Sequence, residues 1–324
     1  MLARLLRIGA GIELLGAVVI GAALLHWGAP AWVAVLAGAA LPLMVHGVPL
    51  AIEFATGAAI DRRPVARLGP LALGRVWLGE TWRSFKVFNI DQAWRAGFPE
   101  PAVVHDPLRP AVLFIHGYMC NRATWRPWLF GRGLAQRWNC ATVNLEPVFG
   151  PVDRYPERID EAVERLRAAS GAARVTLVCH SMGGLAARVY LRRHGDAHVA
   201  RVVTLATPHH GTVFGRLGHS RNARQMARDS PFVEHLRRDD HGRWSRFTTV
   251  ATRDDNLVVP RSSPLLPGAK QVQIDGVAHL ALIEDRRAWQ VIVDEVRSAF
   301  AQPAPERSAA TGSERAASGL VERV

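Results

Sequence analysis

The first sixty residues constrain this chain most, because they hold very little that water would stabilise. Residues 8–26 read IGAGIELLGAVVIGAALLH, apolar apart from Glu13 and the closing His26. At about 1.5 Å per residue, a helix of this length spans roughly the ~30 Å hydrocarbon core of a bilayer. A second apolar stretch runs from Ala31 to Phe54, interrupted by Pro42, His46 and Pro49. The link Trp27-Gly28-Ala29-Pro30 is short and made of turn formers, and Trp27 and Trp32 flank it where interfacial aromatics belong. Residues 1–60 therefore read as a transmembrane helical hairpin. A cleavable signal peptide ending at Ala29-Pro30-Ala31 is the competing reading. Its apolar run is long for a leader, and a second apolar segment follows at once. A hairpin buried inside a soluble protein fits less well, since neither segment has a polar face.

Positive charge orients the hairpin. Arg4 and Arg7 precede it, Arg62, Arg63 and Arg67 follow it, and the turn carries none. The positive-inside rule places both ends, and the domain that follows, on the cytoplasmic side. A cleaved or single-span N-terminus would reverse that side. The net charge of +12 comes almost wholly from Arg, because Lys occurs only at Lys86 and Lys270. These Arg residues are scattered, with no aromatic-interleaved basic face, so nucleic acid is not expected as a partner. Cys120, Cys140 and Cys179 are odd in number and form no C-x-x-C pair, which suggests neither a disulfide framework nor a zinc site.

Residues 61–109 form an aromatic-rich connector. Trp77, Thr81 and Phe85 follow a helical i, i+4 row, as do Leu78 and Trp82. Such a stripe suits an amphipathic helix at a membrane interface or one packed on the next domain, and the sequence leaves both open. From about Pro110 the chain alternates between strand and helix patterns. Strands are expected at 111–117, 141–147, 175–179, 199–206, 247–252 and 271–274, and helices at 124–138, 155–170, 183–194 and 284–300. This rhythm implies an α/β fold, a mostly parallel sheet covered by helices on both faces. Residues 302–324, rich in Ala, Ser, Glu and Arg, read as a disordered tail.

Within this domain, Val175 to Arg188 (VTLVCHSMGGLAAR) is a β-rich run that turns sharply at His180-Ser181-Met182-Gly183 and enters a helix. It resembles the nucleophile elbow of the α/β-hydrolase family, whose usual pattern is G-x-S-x-G. Gly183 supplies the small residue on one side, and Cys179 stands where the first Gly is expected. Cys is still small, so the departure reads as tolerable crowding; a catalytic Cys179 is the sharper alternative. The run Phe114-Ile115-His116-Gly117-Tyr118 is similar to the strand-end HG motif of lipases in that family. Further on, TVATRDDNLVVP (249–260) resembles the acid segment, a strand ending in D-x-x-V that favours Asp255 over Asp254. VQIDGVAHL (272–280) resembles the segment that delivers the catalytic His, 24 residues beyond Asp255.

The resemblance covers residues 110–301, with four motifs in the family's order, and not the hairpin. It implies a bacterial lipase- or esterase-like serine hydrolase with Ser181 as nucleophile, His279 as base and Asp255 as the acid that orients it. The backbone N–H groups of Tyr118 and Met182 would form the oxyanion hole. Of 13 His, His116 and His180 flank the motifs, while His209 and His210 in TPHHGT resemble a loop after the next strand. None of those four holds the base's place in chain order. Residues 211–243 leave the strand–helix rhythm and correspond to a cap over the acyl pocket, built from one or two short amphipathic helices. No metal or organic cofactor is implied, and the expected partners are an ester or lipid substrate and, through the hairpin, a bacterial inner membrane. A thioesterase or acyltransferase on the same scaffold, or a catalytically silent membrane-bound module, are the rival readings.

Overall fold

A computed structural model of the chain describes residues 1–61, 68–239 and 244–301. The expected tail at 302–324 and the last residues of the expected cap, 240–243, lie outside the described residues, as do Arg62, Arg63 and Arg67.

Two helices, α1 (Leu2–His26) and α2 (Ala31–Ile60), form an antiparallel pair, both long and apolar enough to cross a membrane. They approach closely where residues are small: a methyl group at Gly38 would lie 2.9 Å from the Ala17 carbonyl oxygen. Pro42 and Pro49 do not interrupt α2, which runs unbroken to Ile60. In a helix packed this way, neighbouring groups re-satisfy the carbonyls that proline leaves free.

The connector is helical. It comprises α3 (Pro70–Phe85), a π-helical stretch Lys86–Asp91 and the short α4 (Gln92–Trp94). One side of it meets the hairpin, where Trp77 Nε1 donates to the Gly47 carbonyl and Asn89 donates to Glu13. The other side meets the following domain, with Phe88 against its core and Arg83 and Lys86 paired with Glu284. Leu71, Leu78 and Trp82 remain exposed. The aromatic row thus packs on the domain and also leaves an apolar face open.

Six strands follow: β1 (Ala111–Ile115), β2 (Asn139–Val143), β3 (Val175–His180), β4 (Val199–Leu205), β5 (Phe247–Thr252) and β6 (Lys270–Ile274). They form one all-parallel sheet in the order β2-β1-β3-β4-β5-β6. Strand alternation splits the core in two. Leu113, Ile115, Leu177 and Cys179 point to one face; Val112, Phe114, Val178 and Val203 point to the other. The first face is covered by α6 (Pro156–Ser170) and α7 (Met182–His194), the second by α11 (Arg286–Ala301) and by Trp125 and Trp128. Near-continuous apolar strands are what burial on both faces demands.

The strands begin and end within a few residues of the sequence expectation, but the helix expected at 124–138 does not form. It breaks into a 3₁₀ turn Arg122–Trp125, a π turn Pro127–Gly131 and α5 (Leu134–Arg137). Pro127 disrupts the ladder, and Gly133 takes φ +64°, a left-handed conformation that ends one segment and starts the next. The cap region holds a 3₁₀ turn Val213–Arg216, α8 (Arg221–Gln225) and α9 (Pro231–Asp239). The last expected helix divides into α10 (Ala281–Glu284) and α11, with extended backbone at Asp285 between them.

Trp128 ties this broken segment to α10, because its buried Nε1–H donates to the Ile283 carbonyl at 2.6 Å. Trp128→Phe keeps the ring packing but orphans that carbonyl. It is expected to cost about 1–3 kcal/mol, read as a lowered urea midpoint in detergent-solubilised protein.

Candidate active site

In the sheet order, β2 lies on one side of β1 and β3 on the other, so the direction of strand progression reverses between β1 and β3. Loops leaving the carboxyl ends of two such strands diverge and leave a crevice. Tyr118 follows β1 into that crevice and Ser181 follows β3.

Ser181 joins β3 to α7 with φ 51° and ψ −125°, a conformation that side-chain-bearing residues rarely adopt. Several contacts hold it there. The Ser181 N–H donates to Leu205 on β4, and the Thr207 hydroxyl donates to the Ser181 carbonyl at 2.8 Å. The turn also requires two glycines. A methyl at Gly183 would sit 2.6 Å from the His116 carbonyl oxygen, and one at Gly184 would sit 2.2 Å from Thr207 Oγ1. Cys179, in the place of the family's first glycine, is fully buried among core side chains, and burial pushes its thiol pKa far up. It is an inert thiol in the core.

His279 Nδ1 lies 3.1 and 3.2 Å from the two carboxylate oxygens of Asp255. Both residues are almost completely buried, Asp255 at 0% and His279 at 3% exposure. Asp255 Oδ1 also accepts the N–H groups of Leu257 and Val258. Donation from Nδ1 leaves Nε2 as the free, basic nitrogen. Burial alone would lower the His279 pKa, but the Asp255 charge and hydrogen bond, with Glu80 and Glu53 beyond, outweigh it and hold the pKa above its ordinary value. Asp254 turns away and accepts the Gly276 N–H. Among the described residues Ser181 makes no hydrogen bond to His279. Both line one cavity of about 320 Å³, and such contacts commonly tighten only when substrate arrives.

Of the expected oxyanion donors, Tyr118 borders the same cavity, and Met182 directly follows Ser181, which does. Tyr118 lines it, and its hydroxyl is bonded to Ser220 just before α8. Met182 opens α7, where the amide has no carbonyl one turn back and the helix dipole favours negative charge. His116 braces the loop before Tyr118: its Nε2 accepts the Leu145 N–H, so Nδ1–H donates to Gly117. Burial lowers its pKa to about 4, which keeps the ring neutral. His180 Nε2 faces the His279 carbonyl at 3.4 Å, and burial likewise holds its pKa well down. His209 Nε2 contacts Thr204 within the core, and His210 contacts the Leu265 carbonyl.

The rest of the cavity wall is apolar and comes from two directions. Phe214 and Met226 belong to the segment between β4 and β5; Leu50 of α2 and Phe88 of the connector belong to the N-terminal helices. Sequence reading did not find this second contribution. It also missed Gly184, Thr207 and Asn256, and two acidic residues, Glu53 on α2 and Glu80 on α3, which line the cavity as well. The one signal available was their place, an acid inside an apolar helix. Among the described residues, no three His, Cys, Asp or Glu side chains are grouped to hold a metal ion.

Comparison with known proteins adds the following. Residues 110–232 match a family described as alpha/beta hydrolase fold. Mature Bacillus licheniformis lipase BlEst2 superposes with a TM-score of 0.54 at 18% identity, over 62% of this chain and 98% of that one. The propeptide form of the same lipase gives 0.53 at 18% identity, over 66% of this chain and 56% of its own. Aspergillus fumigatus lipase B gives 0.53 at 20% identity, over 63% of this chain and 57% of its own. At such identities the likeness is one of fold. No curated protein matches the sequence.

The elbow geometry makes a direct prediction. Gly184→Ala forces a methyl into the Thr207 side chain and is expected to destabilise the protein by about 1–3 kcal/mol. The same denaturation assay checks it, with Gly195→Ala, a position open around its Cα but with φ +79°, as the measure of pure backbone strain.

Proposed function

Starting from a chain with the α/β-hydrolase fold, we propose that it is a serine hydrolase that cleaves carboxylic esters with an apolar acyl part. One observation carries the reading: Ser181 and His279, the latter bonded to the buried Asp255, line a single, mainly apolar cavity.

In this reading His279 Nε2 removes the Ser181 hydroxyl proton as Oγ attacks the ester carbonyl. Asp255 holds the imidazole in its productive tautomer and stabilises the imidazolium. The N–H groups of Tyr118 and Met182 receive the oxyanion, each contributing about 2.7–4 kcal/mol in the transition state. His279 then protonates the departing alcohol, and the acyl-enzyme is released by water that His279 activates in turn. The acyl chain lies against Phe214, Met226, Leu50 and Phe88. The hairpin inserts in the membrane with the hydrolase domain on its cytoplasmic side, so that ester-bearing lipids and the cavity share one interface.

A fluorophosphonate probe is expected to label the wild-type protein and not Ser181→Ala. p-Nitrophenyl esters of increasing chain length are expected to be hydrolysed, and faster than matched acyl-CoA thioesters. A folded wild type that takes no label defeats the proposal.

The base must be neutral to act, so activity is lost as pH falls through the His279 pKa. Since that pKa is raised, the acidic limb of kcat/KM is expected to have its midpoint above about 6.5. A midpoint below that value contradicts the buried pairing with Asp255.

A further inference from the structure

Two carboxylates that belong to neither the hydrolase sheet nor its cap stand beside the acid–base pair. Glu80, on α3, is fully buried; its Oε1 accepts the Leu280 N–H at 2.6 Å and its Oε2 the Ala281 N–H at 2.9 Å. These are the two residues directly after His279. Glu53, on α2, accepts from Asn256 Nδ2 at 2.6 Å. Asn256 directly follows Asp255, and its Oδ1 accepts the N–H of His279 itself at 3.1 Å. The backbone is therefore held at His279 and at the two residues beyond it, and each hold runs to a different N-terminal helix.

We propose that Glu80 and Glu53 are positioning residues for His279, and that the catalytic centre is complete only when α2 and α3 are seated on the hydrolase domain. This rests on the serine hydrolase reading above. Glu80 fastens the loop that carries the base, and Glu53 fixes the amide of Asn256 that receives the His279 N–H. Glu80 also acts through charge. Both of its oxygens accept backbone N–H groups, which is the arrangement of a carboxylate; burial raises its pKa against those donors and against His279. The groups facing the His279 ring are Asp255, Glu53, Glu80 and His180, whose ring lies 4.8 Å away and is neutral. Asp255, and the two glutamates in their ionised form, favour the imidazolium that forms when Ser181 attacks. Two N-terminal helices outside the sheet domain are thus wired into the chemistry, so a displacement of α2 or α3 is felt at the base.

The test uses the full chain in detergent or vesicles. In Glu80→Gln the amide N–H₂ meets a backbone N–H where a second acceptor stood. kcat on a p-nitrophenyl ester is expected to fall at least about tenfold with KM nearly unchanged. The acidic limb of kcat/KM is expected to move down by about half a pH unit or more, a shift that a merely structural role does not produce. Glu53→Leu, which removes the acceptor, is expected to lose kcat, and Glu53→Gln, which keeps one, to recover most of it. Folding of each variant is read from its thermal transition. Wild-type kcat in Glu53→Leu overturns the proposal, as does Glu80→Gln with an unmoved limb and kcat within about twofold of wild type. If wild-type protein takes the fluorophosphonate label while the variants behave like wild type, this inference alone fails. If wild type takes no label, the hydrolase reading fails first.

Discussion

The structure depends on keeping an imidazole and a carboxylate together out of water. A carboxylate in the interior loses hydration worth several kcal/mol, and it survives there only where hydrogen bonds replace that hydration. Asp255 meets that condition with the Leu257 and Val258 N–H groups as well as His279. The same burial that makes the pair costly makes its field strong, because water no longer screens it. What excludes water is only partly the hydrolase domain. The segment between β4 and β5 supplies Phe214 and Met226, and the N-terminal helices supply Leu50 and Phe88. The apolar N-terminus therefore forms part of the wall of the cavity that His279 lines.

A second constraint lies at Ser181. A non-glycine residue at φ 51° stores strain of order 1–3 kcal/mol and persists only where its surroundings leave no alternative. Here β3 is an interior strand paired with β1 and β4, and the turn is fastened at Leu205, at Thr207 and through the close approach of Gly183 and Gly184. In this conformation Ser181 stands at the sheet's end, on the wall of the cavity.

What the sequence made legible follows the range of the forces involved. Strands buried on both faces announce themselves as apolar runs, so β3 and β5 stand where expected, and the D-x-x-V pattern favoured Asp255, the residue that faces His279. The tolerance of Cys179 was also readable, since only its size matters at a core-facing strand end. Elements shaped by a single local breaker were harder: 124–138 has helical composition, yet Pro127 and the left-handed Gly133 divide it. Contacts across the chain were not legible at all. Glu80 meets its partner 200 residues away and Glu53 meets Asn256 203 residues away. In sequence each is only a charge in an apolar or aromatic helix. Gly184 looks redundant beside Gly183 until Thr207 is brought against it.

The same contacts bear on how the N-terminus is used. A leader peptide that is cut away needs no specific fit to the protein it leaves. α1 has such a fit: Glu13 accepts a hydrogen bond from Asn89, and the Arg7 guanidinium lies 5.4 Å over the Trp94 ring. α2 follows suit with Gly57 against Val259 and with Asp61 accepting the Arg261 N–H. Meanwhile Ile12, Leu15, Val18 and Val19 on α1 turn an exposed apolar face outward. One side of the pair is thus apolar and exposed, while the other carries contacts to the connector and to the sheet domain. That two-sidedness joins the helix pair to the cavity wall through Leu50 and Glu53 while an apolar face of α1 stays exposed.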